Sequence, residues 1–141
     1  MRRLVFVLAA VAAAISPALA QSGQTGAYLS APEARRIFYG IDMQGEHQPS
    51  GDDWRECIDP DGKTAYWFNG AYDEGRLVIR RDGALCFSYA SRGYRNEACW
   101  MAKRVSATNY RFESVDGDDG VFVTTRTRSA QTCPARDAPT S

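Results

Sequence analysis

The chain has very few of the side chains on which common catalytic and metal sites depend. His47 is its only histidine, and there is no Gly-x-Ser-x-Gly segment, dinucleotide fingerprint or phosphate loop. A serine hydrolase needs a histidine base, and His47 stands alone in a stretch of Pro, Ser and Gly. No two cysteines have Cys-x-x-Cys spacing, so we expect no metal at these thiols and no bound cofactor.

A long hydrophobic run and an excess of one charge are also absent. The apolar residues 4–15 are fewer than the about 20 that a membrane helix needs. They follow Arg2 and Arg3 and precede Ala18-Leu19-Ala20, which predicts a secretory signal peptide over residues 1–20. Of the 17 basic residues, 15 remain without Arg2 and Arg3, against 17 acidic ones. We therefore expect no nucleic-acid partner and no membrane span after signal cleavage.

The four cysteines all lie beyond the predicted signal peptide. In an exported protein, an even number of cysteines predicts disulfides, and four cysteines allow three pairings. We favour Cys86 with Cys99 and Cys57 with Cys133.

The Cys86–Cys99 pair has a physical reason in the sequence around it. Two short β-rich segments flank a turn, and a hairpin that sets Cys86 opposite Cys99 pairs the apolar neighbours as well. These neighbours are Leu85 with Trp100 and Phe87 with Ala98. Because side chains alternate along a strand, the four apolar residues then share one face.

Turn signals and apolar spacing predict a small, mainly β domain. Ser30-Ala31-Pro32-Glu33 matches a capping box that opens a short helix, and Gly40 ends it. About seven or eight strands follow, separated by turns such as Asp59-Pro60-Asp61-Gly62, while residues 47–53 read as a loop. The fold class is a short N-terminal helix and a single antiparallel β barrel or sandwich, stapled by disulfides. The predicted boundaries are a signal peptide at 1–20, a flexible tail at 21–29, the β domain at 30–133 and a flexible tail at 134–141.

Two acidic segments suggest a calcium site and an acid–base pair, but both have simpler explanations. Residues 116–120 resemble a calcium loop, but Thr127 stands where such a loop needs its bidentate Glu, which favours a hairpin turn. Glu56 with Asp52 or Asp53 offers a carboxyl pair for acid–base hydrolysis. Turn and surface roles account for most of these carboxylates.

The candidate ligand-binding residues are two arginines and two tryptophans. Arg126 and Arg128 fall on one face of the last predicted strand, where guanidinium groups bind anions bidentately. A solvated strand face is the commoner explanation. Trp54 and Trp67 belong to a dense aromatic set that fills a core or lines the mouth of a small barrel.

The order of short motifs along residues 30–115 resembles that of a family of small exported proteobacterial proteins of unknown function. The motifs are Trp54-Arg55-Glu56-Cys57, Asp61-Gly62, Tyr66-Trp67-Phe68, Gly75, Asp82-Gly83, Leu85-Cys86-Phe87, Cys99-Trp100 and Tyr110-Arg111-Phe112. The resemblance implies a periplasmic or secreted β domain with a Cys86–Cys99 bridge and no catalytic set. Cys57 departs from the family pattern, because the resemblance implies an aromatic residue at this position.

The leading functional hypothesis is a non-enzymatic periplasmic or secreted module of a binding or inhibitor type. Its partner is a protein or a small ligand of the cell envelope. The alternatives are an envelope hydrolase that uses an Asp/Glu pair and a structural or stress-related envelope protein.

Overall fold

The computed structural model of the protein describes residues 26–48, 50–117 and 119–134. The predicted signal peptide lies outside the described residues, as do residues 135–141 of the predicted C-terminal tail. Within these ranges one α-helix precedes eight strands in a closed antiparallel barrel, in which each strand pairs with its sequence neighbours. The elements are α1 (Ala31–Phe38), β1 (Ile41–Gln48), β2 (Asp52–Ile58), β3 (Lys63–Phe68), β4 (Ala71–Ile79), β5 (Leu85–Tyr89), β6 (Ala98–Arg104), β7 (Tyr110–Ser114) and β8 (Val121–Ser129).

The mainly β fold with one short helix is confirmed, and the structure selects a barrel over a sandwich. Pairing of β8 with β1 closes the sheet. Alternate residues of each strand point inward, as Trp54, Glu56 and Ile58 of β2 illustrate, all of them buried. Eight strands leave an interior wide enough for side chains or for one small ligand.

Helix α1 closes one end of the barrel. The Ser30 backbone N–H donates to the Glu33 carboxylate at 2.9 Å, as expected at a helix start. Gly40 follows the helix with φ +80°, which lets the chain turn into β1. Phe38 packs its ring 5.2 Å from that of Tyr110 and 5.4 Å from that of Phe112, centroid to centroid. The helix therefore seals this end with apolar contacts, and the other end stays open.

The seam between β1 and β8 requires a glycine. A bulge shifts the register between Gln44 and Gly45. A Cβ atom on Gly45 would lie 1.9 Å from the Val123 carbonyl oxygen, so no side chain fits there.

Both expected disulfides are present. Cys86 faces Cys99 across the β5–β6 hairpin, in the register that pairs Leu85 with Trp100 and Phe87 with Ala98. Cys57 of β2 is bonded to Cys133, which follows β8. The two disulfides fit a protein of an oxidising, non-cytoplasmic compartment.

The helix content of the described ranges is confined to short segments. None of these helices has the length and apolar character needed to cross a bilayer.

Two boundaries differ from the expectations. The loop expected at 47–53 is shorter, because β1 continues to Gln48 and β2 begins at Asp52. The domain also begins before Ser30. Leu29 is buried and donates its N–H to the Ala102 carbonyl at 2.8 Å, so its side chain belongs to the core.

Candidate functional site

A recess of about 500 Å³ opens at the end of the barrel opposite α1. Its size falls within the range of about 300–1,000 Å³ that is usual for small-molecule sites. Its walls are mainly aromatic, and its rim carries charged groups of both signs. The lining residues used below are His47, Phe68, Trp100 and Phe122 on the walls, and Asp73, Arg92 and Asp119 at the rim.

A smaller cavity of about 40 Å³ continues the recess toward the barrel centre. The two spaces share Tyr66, Tyr89, Trp100 and Phe122 as lining residues. Among the described residues that line the inner cavity, Glu56 alone has an acidic or basic side chain. The space exceeds the about 10–15 Å³ needed for a water molecule, so polar guests of that size fit beside Glu56.

The aromatic rings around these spaces come from several strands, including β3, β5, β6 and β8. Tyr66 lies 5.2 Å from Tyr89, and Phe87 stacks on Tyr89 at 6.2 Å, centroid to centroid. Trp100 meets Phe122 edge to face at 5.9 Å. Ring pairs at these separations stabilise one another and hold the walls in fixed positions.

The Glu56 side chain is the polar centre of the inner cavity. Only 3% of the residue is exposed. The Tyr89 hydroxyl donates to Glu56 Oε2 at 2.9 Å. Glu56 Oε1 has no hydrogen-bond partner. A buried polar atom without a partner is unusual in a folded protein, and it marks this carboxyl group for a functional explanation.

Burial raises the pKa of Glu56 from 4.5 to about 8. The hydroxyls of Thr64 and Tyr89 lower the pKa of Glu56, although the Thr64 hydroxyl falls short of hydrogen-bond geometry. The charge of Asp73 raises this pKa further. Burial and the nearby Glu56 likewise raise the pKa values of Tyr66 and Tyr89. At neutral pH the interior of the unliganded barrel therefore holds a protonated carboxyl group and neutral phenols.

In the part of the chain that the structure describes, three other buried side-chain atoms near the core lack hydrogen-bond partners. They are Trp54 Nε1, Trp100 Nε1 and Thr64 Oγ1. Trp100 lines both spaces, so its indole belongs to the same site as Glu56.

The rim groups are held by hydrogen bonds to nearby loops. Asp73 accepts the Ser91 backbone N–H at 3.1 Å and also binds the Ser91 hydroxyl. His47 Nε2 lies 3.1 Å from the Asp119 carbonyl oxygen, which makes this nitrogen the donor. The opening of the recess is therefore shaped by fixed side chains from β1 and β4.

The four sequence-predicted ligand residues do not form one site. Trp54 is buried inside the barrel, with its ring 5.7 Å from that of Phe122. Trp67 lies on the outer surface, since it pairs with outward-facing Arg55 and lies under its guanidinium group. Arg126 is exposed on β8.

Arg128 is occupied by an ion pair with Asp42. Its Nε donates to Asp42 Oδ2 at 2.8 Å. Arg55 adds hydrogen bonds to both Asp42 oxygens, at 3.0 and 2.8 Å. Burial tends to raise the pKa of Asp42, but the two guanidinium groups outweigh it and lower the pKa. The arginines on this outer face thus neutralise a buried carboxylate.

The carboxyl pair considered for hydrolysis is not formed. Asp53 points to the opposite side of β2 from Glu56, because side chains alternate along a strand. Asp52 shares the side of Glu56, but its Cα lies four residues away, or about 13 Å along a strand. Asp52 stands at the start of β2, whereas Glu56 is buried inside the barrel.

One group of metal-ligating side chains comes together in the described ranges, namely Cys86, Cys99 and Glu97. Its two sulfur atoms are bonded to each other, so they are not thiolate ligands.

Sequence reasoning named Glu56 as a candidate carboxyl group and placed Tyr66, Phe68 and Trp100 in the dense aromatic set, but it missed Tyr89 and Phe122. Nothing in the sequence indicates that β3, β5 and β8 bring these rings to one recess. Alternation of side chains along β3 and β5 could have indicated these residues. It places Tyr66 and Phe68 on one face of β3, and Phe87 and Tyr89 on one face of β5.

The comparisons with known proteins add no functional information. No protein-family model matches the chain, and no significant match was found among curated proteins or solved structures. The function is therefore argued from the geometry of the recess.

Proposed function

We propose that the protein is a non-enzymatic binding module of the periplasm or the secreted fraction, and that it holds a small ligand in the open end of its barrel. One observation carries the proposal: an aromatic recess leads to a buried carboxyl oxygen that has no partner. Aromatic walls with a few convergent polar groups are typical of sites for small organic molecules. The predicted signal peptide over residues 1–20 supports the compartment.

The large hydrophobic side chains that stay exposed in the described ranges are Tyr28, Val78, Tyr94, Val105 and Val115. None of them lines the recess. The aromatic surface of the recess is instead concave, which favours a small ligand over a flat protein interface.

Indole is a suitable uncharged probe for this site, and the three tryptophans report where it binds. In a proton–nitrogen NMR spectrum of the oxidised protein, a ligand in the recess shifts the indole N–H signals of Trp100 and Trp54. Trp67 lies outside the barrel and serves as the internal reference. We expect saturable shifts with a dissociation constant of about 1 mM or tighter, equivalent to about −4 kcal/mol or better.

A blocking variant locates the site further. Ala98 lines the recess, and Ala98→Phe fills it. Val78→Phe adds a ring at an exposed outer position and is the matched control. Binding that survives Ala98→Phe, shifts only at Trp67, or no shifts at all with indole would each refute the proposed site.

A further inference from the structure

Glu56 is a buried carboxyl group with no cationic partner. The ion pairs of the described residues involve other acidic groups, and the neighbours that affect Glu56 are Thr64, Tyr89 and Asp73. None of these three neighbours is positively charged. Buried carboxylates are normally paired with a cation or kept protonated, so a cationic guest would satisfy this one.

The surroundings of Glu56 also suit a positive charge. Tyr66, Tyr89, Phe87 and Trp100 line the cavity next to it, and aromatic faces attract ammonium groups. The free Glu56 oxygen and the aromatic wall together suit the N–H donors of a primary ammonium group.

The charges at the rim favour the same sign of ligand. The titratable and charged groups that face the two spaces come from β1, β2, β3, β4, β5, the 3₁₀ turn after β5 and the loop before β8. They are His47, Glu56, Tyr66, Asp73, Tyr89, Arg92 and Asp119. Asp73 and Asp119 are carboxylates, Arg92 is the arginine among them, and Glu56 carries no charge while it is protonated, so an anionic ligand would meet net repulsion.

We propose that the recess binds a primary amine attached to an aromatic or apolar body, with the ammonium group on Glu56 Oε1 and the body against Trp100 and Phe122. This inference rests on the proposed function and names its ligand class. The inner cavity of about 40 Å³ admits a group as small as an ammonium, and the recess of about 500 Å³ holds the body.

Binding changes the protonation of Glu56. Because its pKa is about 8 in the unliganded protein, Glu56 is mostly protonated at pH 7. A bound ammonium group favours the carboxylate, so the carboxyl proton leaves to solvent as the ion pair forms. The amine stays protonated throughout, because its pKa is near about 10, like that of lysine.

Three indole compounds with different charges test this proposal. Tryptamine carries the ammonium group, indole is uncharged, and indolepropionate is an anion. Binding is followed by the shift of the Trp100 N–H signal at pH 8. Tryptamine should bind at least about tenfold more tightly than indole, because its ammonium group makes a charge-assisted contact. Indolepropionate should bind more weakly than indole.

Glu56→Gln assigns the preference to its carboxyl group. In this variant tryptamine should lose about tenfold or more in affinity, while indole keeps its own. Glu74→Gln removes an exposed carboxylate of β4 and should leave both affinities unchanged. Tyr89→Phe keeps the ring but removes the hydroxyl that donates to Glu56, so it should weaken tryptamine a few-fold more than indole. It gives a second variant if Glu56→Gln does not fold.

The pH dependence gives an independent readout. Between pH 6 and 8 the wild-type affinity for tryptamine should rise by up to about tenfold per pH unit, with release of about one proton, and level off above pH 8. Glu56→Gln should abolish both effects. If indole binds as tightly as tryptamine, or if the preference persists in Glu56→Gln, the amine proposal is refuted while the binding site stands. If none of the three compounds shifts Trp100, the proposed function fails with it.

Discussion

Asp42 of β1 and Arg128 of β8 are joined across the seam that closes the barrel. Arg128 Nε donates to Asp42 Oδ2 at 2.8 Å, and only 4% of Asp42 is exposed. Arg55 of β2 binds both oxygens of the same carboxylate. One buried acid therefore links three neighbouring strands, including the pair whose contact turns the sheet into a barrel.

Asp42→Asn should destabilise the protein markedly. The variant removes the negative charge that compensates Arg55 and Arg128, and Arg55 is itself largely buried. We expect a loss of about 2–3 kcal/mol in the free energy of unfolding at pH 7, measured by urea denaturation. Glu97→Gln is the control. It breaks the exposed ion pair with Arg80 and should cost less than about 1 kcal/mol.

The Asp42 carboxylate also makes the free energy of unfolding fall at acid pH, and this fall is the acid limb of the stability profile. The folded-state pKa of Asp42 is lowered, so its contribution is present above the unfolded pKa of about 4 and disappears as the pH falls through the lower folded value. Asp42→Asn should flatten this limb. An unchanged acid limb, or a cost no larger than that of Glu97→Gln, would show that the seam does not depend on this charge.

Glu56 should make the protein less stable as the pH rises. Its pKa is 4.5 in the unfolded reference and about 8 in the folded protein. Between these values the folded state binds the extra proton, so the free energy of unfolding falls with rising pH and becomes constant above about 8. The total decrease is roughly 3–5 kcal/mol, since each pKa unit corresponds to about 1.4 kcal/mol.

Glu56→Gln identifies the source of that slope. The amide does not titrate, so the variant should lose the decrease between pH 5 and 8 and be more stable than the wild type at pH 8. Glu74→Gln should keep the wild-type profile, because Glu74 is exposed. Urea denaturation at a series of pH values measures both. A parallel slope in wild type and Glu56→Gln would contradict a buried, protonated Glu56.

The two disulfides should differ in their contribution to stability. Cys57 and Cys133 are separated by 76 residues, and Cys86 and Cys99 by 13. Chain-entropy reasoning gives about 4–5 kcal/mol for the longer loop and about 3 kcal/mol for the shorter one. Paired alanine variants at each bridge, compared by urea denaturation, should keep this order.

Thiol titration checks the bridges directly. The unfolded, unreduced protein should show no free thiol, and the reduced protein should show four. A reversed order of the two stabilities would mean that local strain or packing, and not loop length, decides the contribution of each bridge.

Residues close together in the chain were enough to predict the local parts of this protein. The capping residues at Ser30 and Glu33 predicted the helix start. The neighbours of Cys86 and Cys99 predicted the hairpin register and the disulfide. These features depend on residues close in the chain, where alternation and turn chemistry are sufficient.

Which side chains share a site depends on contacts between distant strands. Tyr89 reaches Glu56 across 33 sequence positions, and Arg128 reaches Asp42 across 86. Strand alternation indicates that two residues of one strand share a face, but it does not say which distant strand supplies their neighbours. Closure of the barrel made that choice. It left Arg128 on the outside with Asp42 and placed Glu56 inside, among rings from β3, β5, β6 and β8.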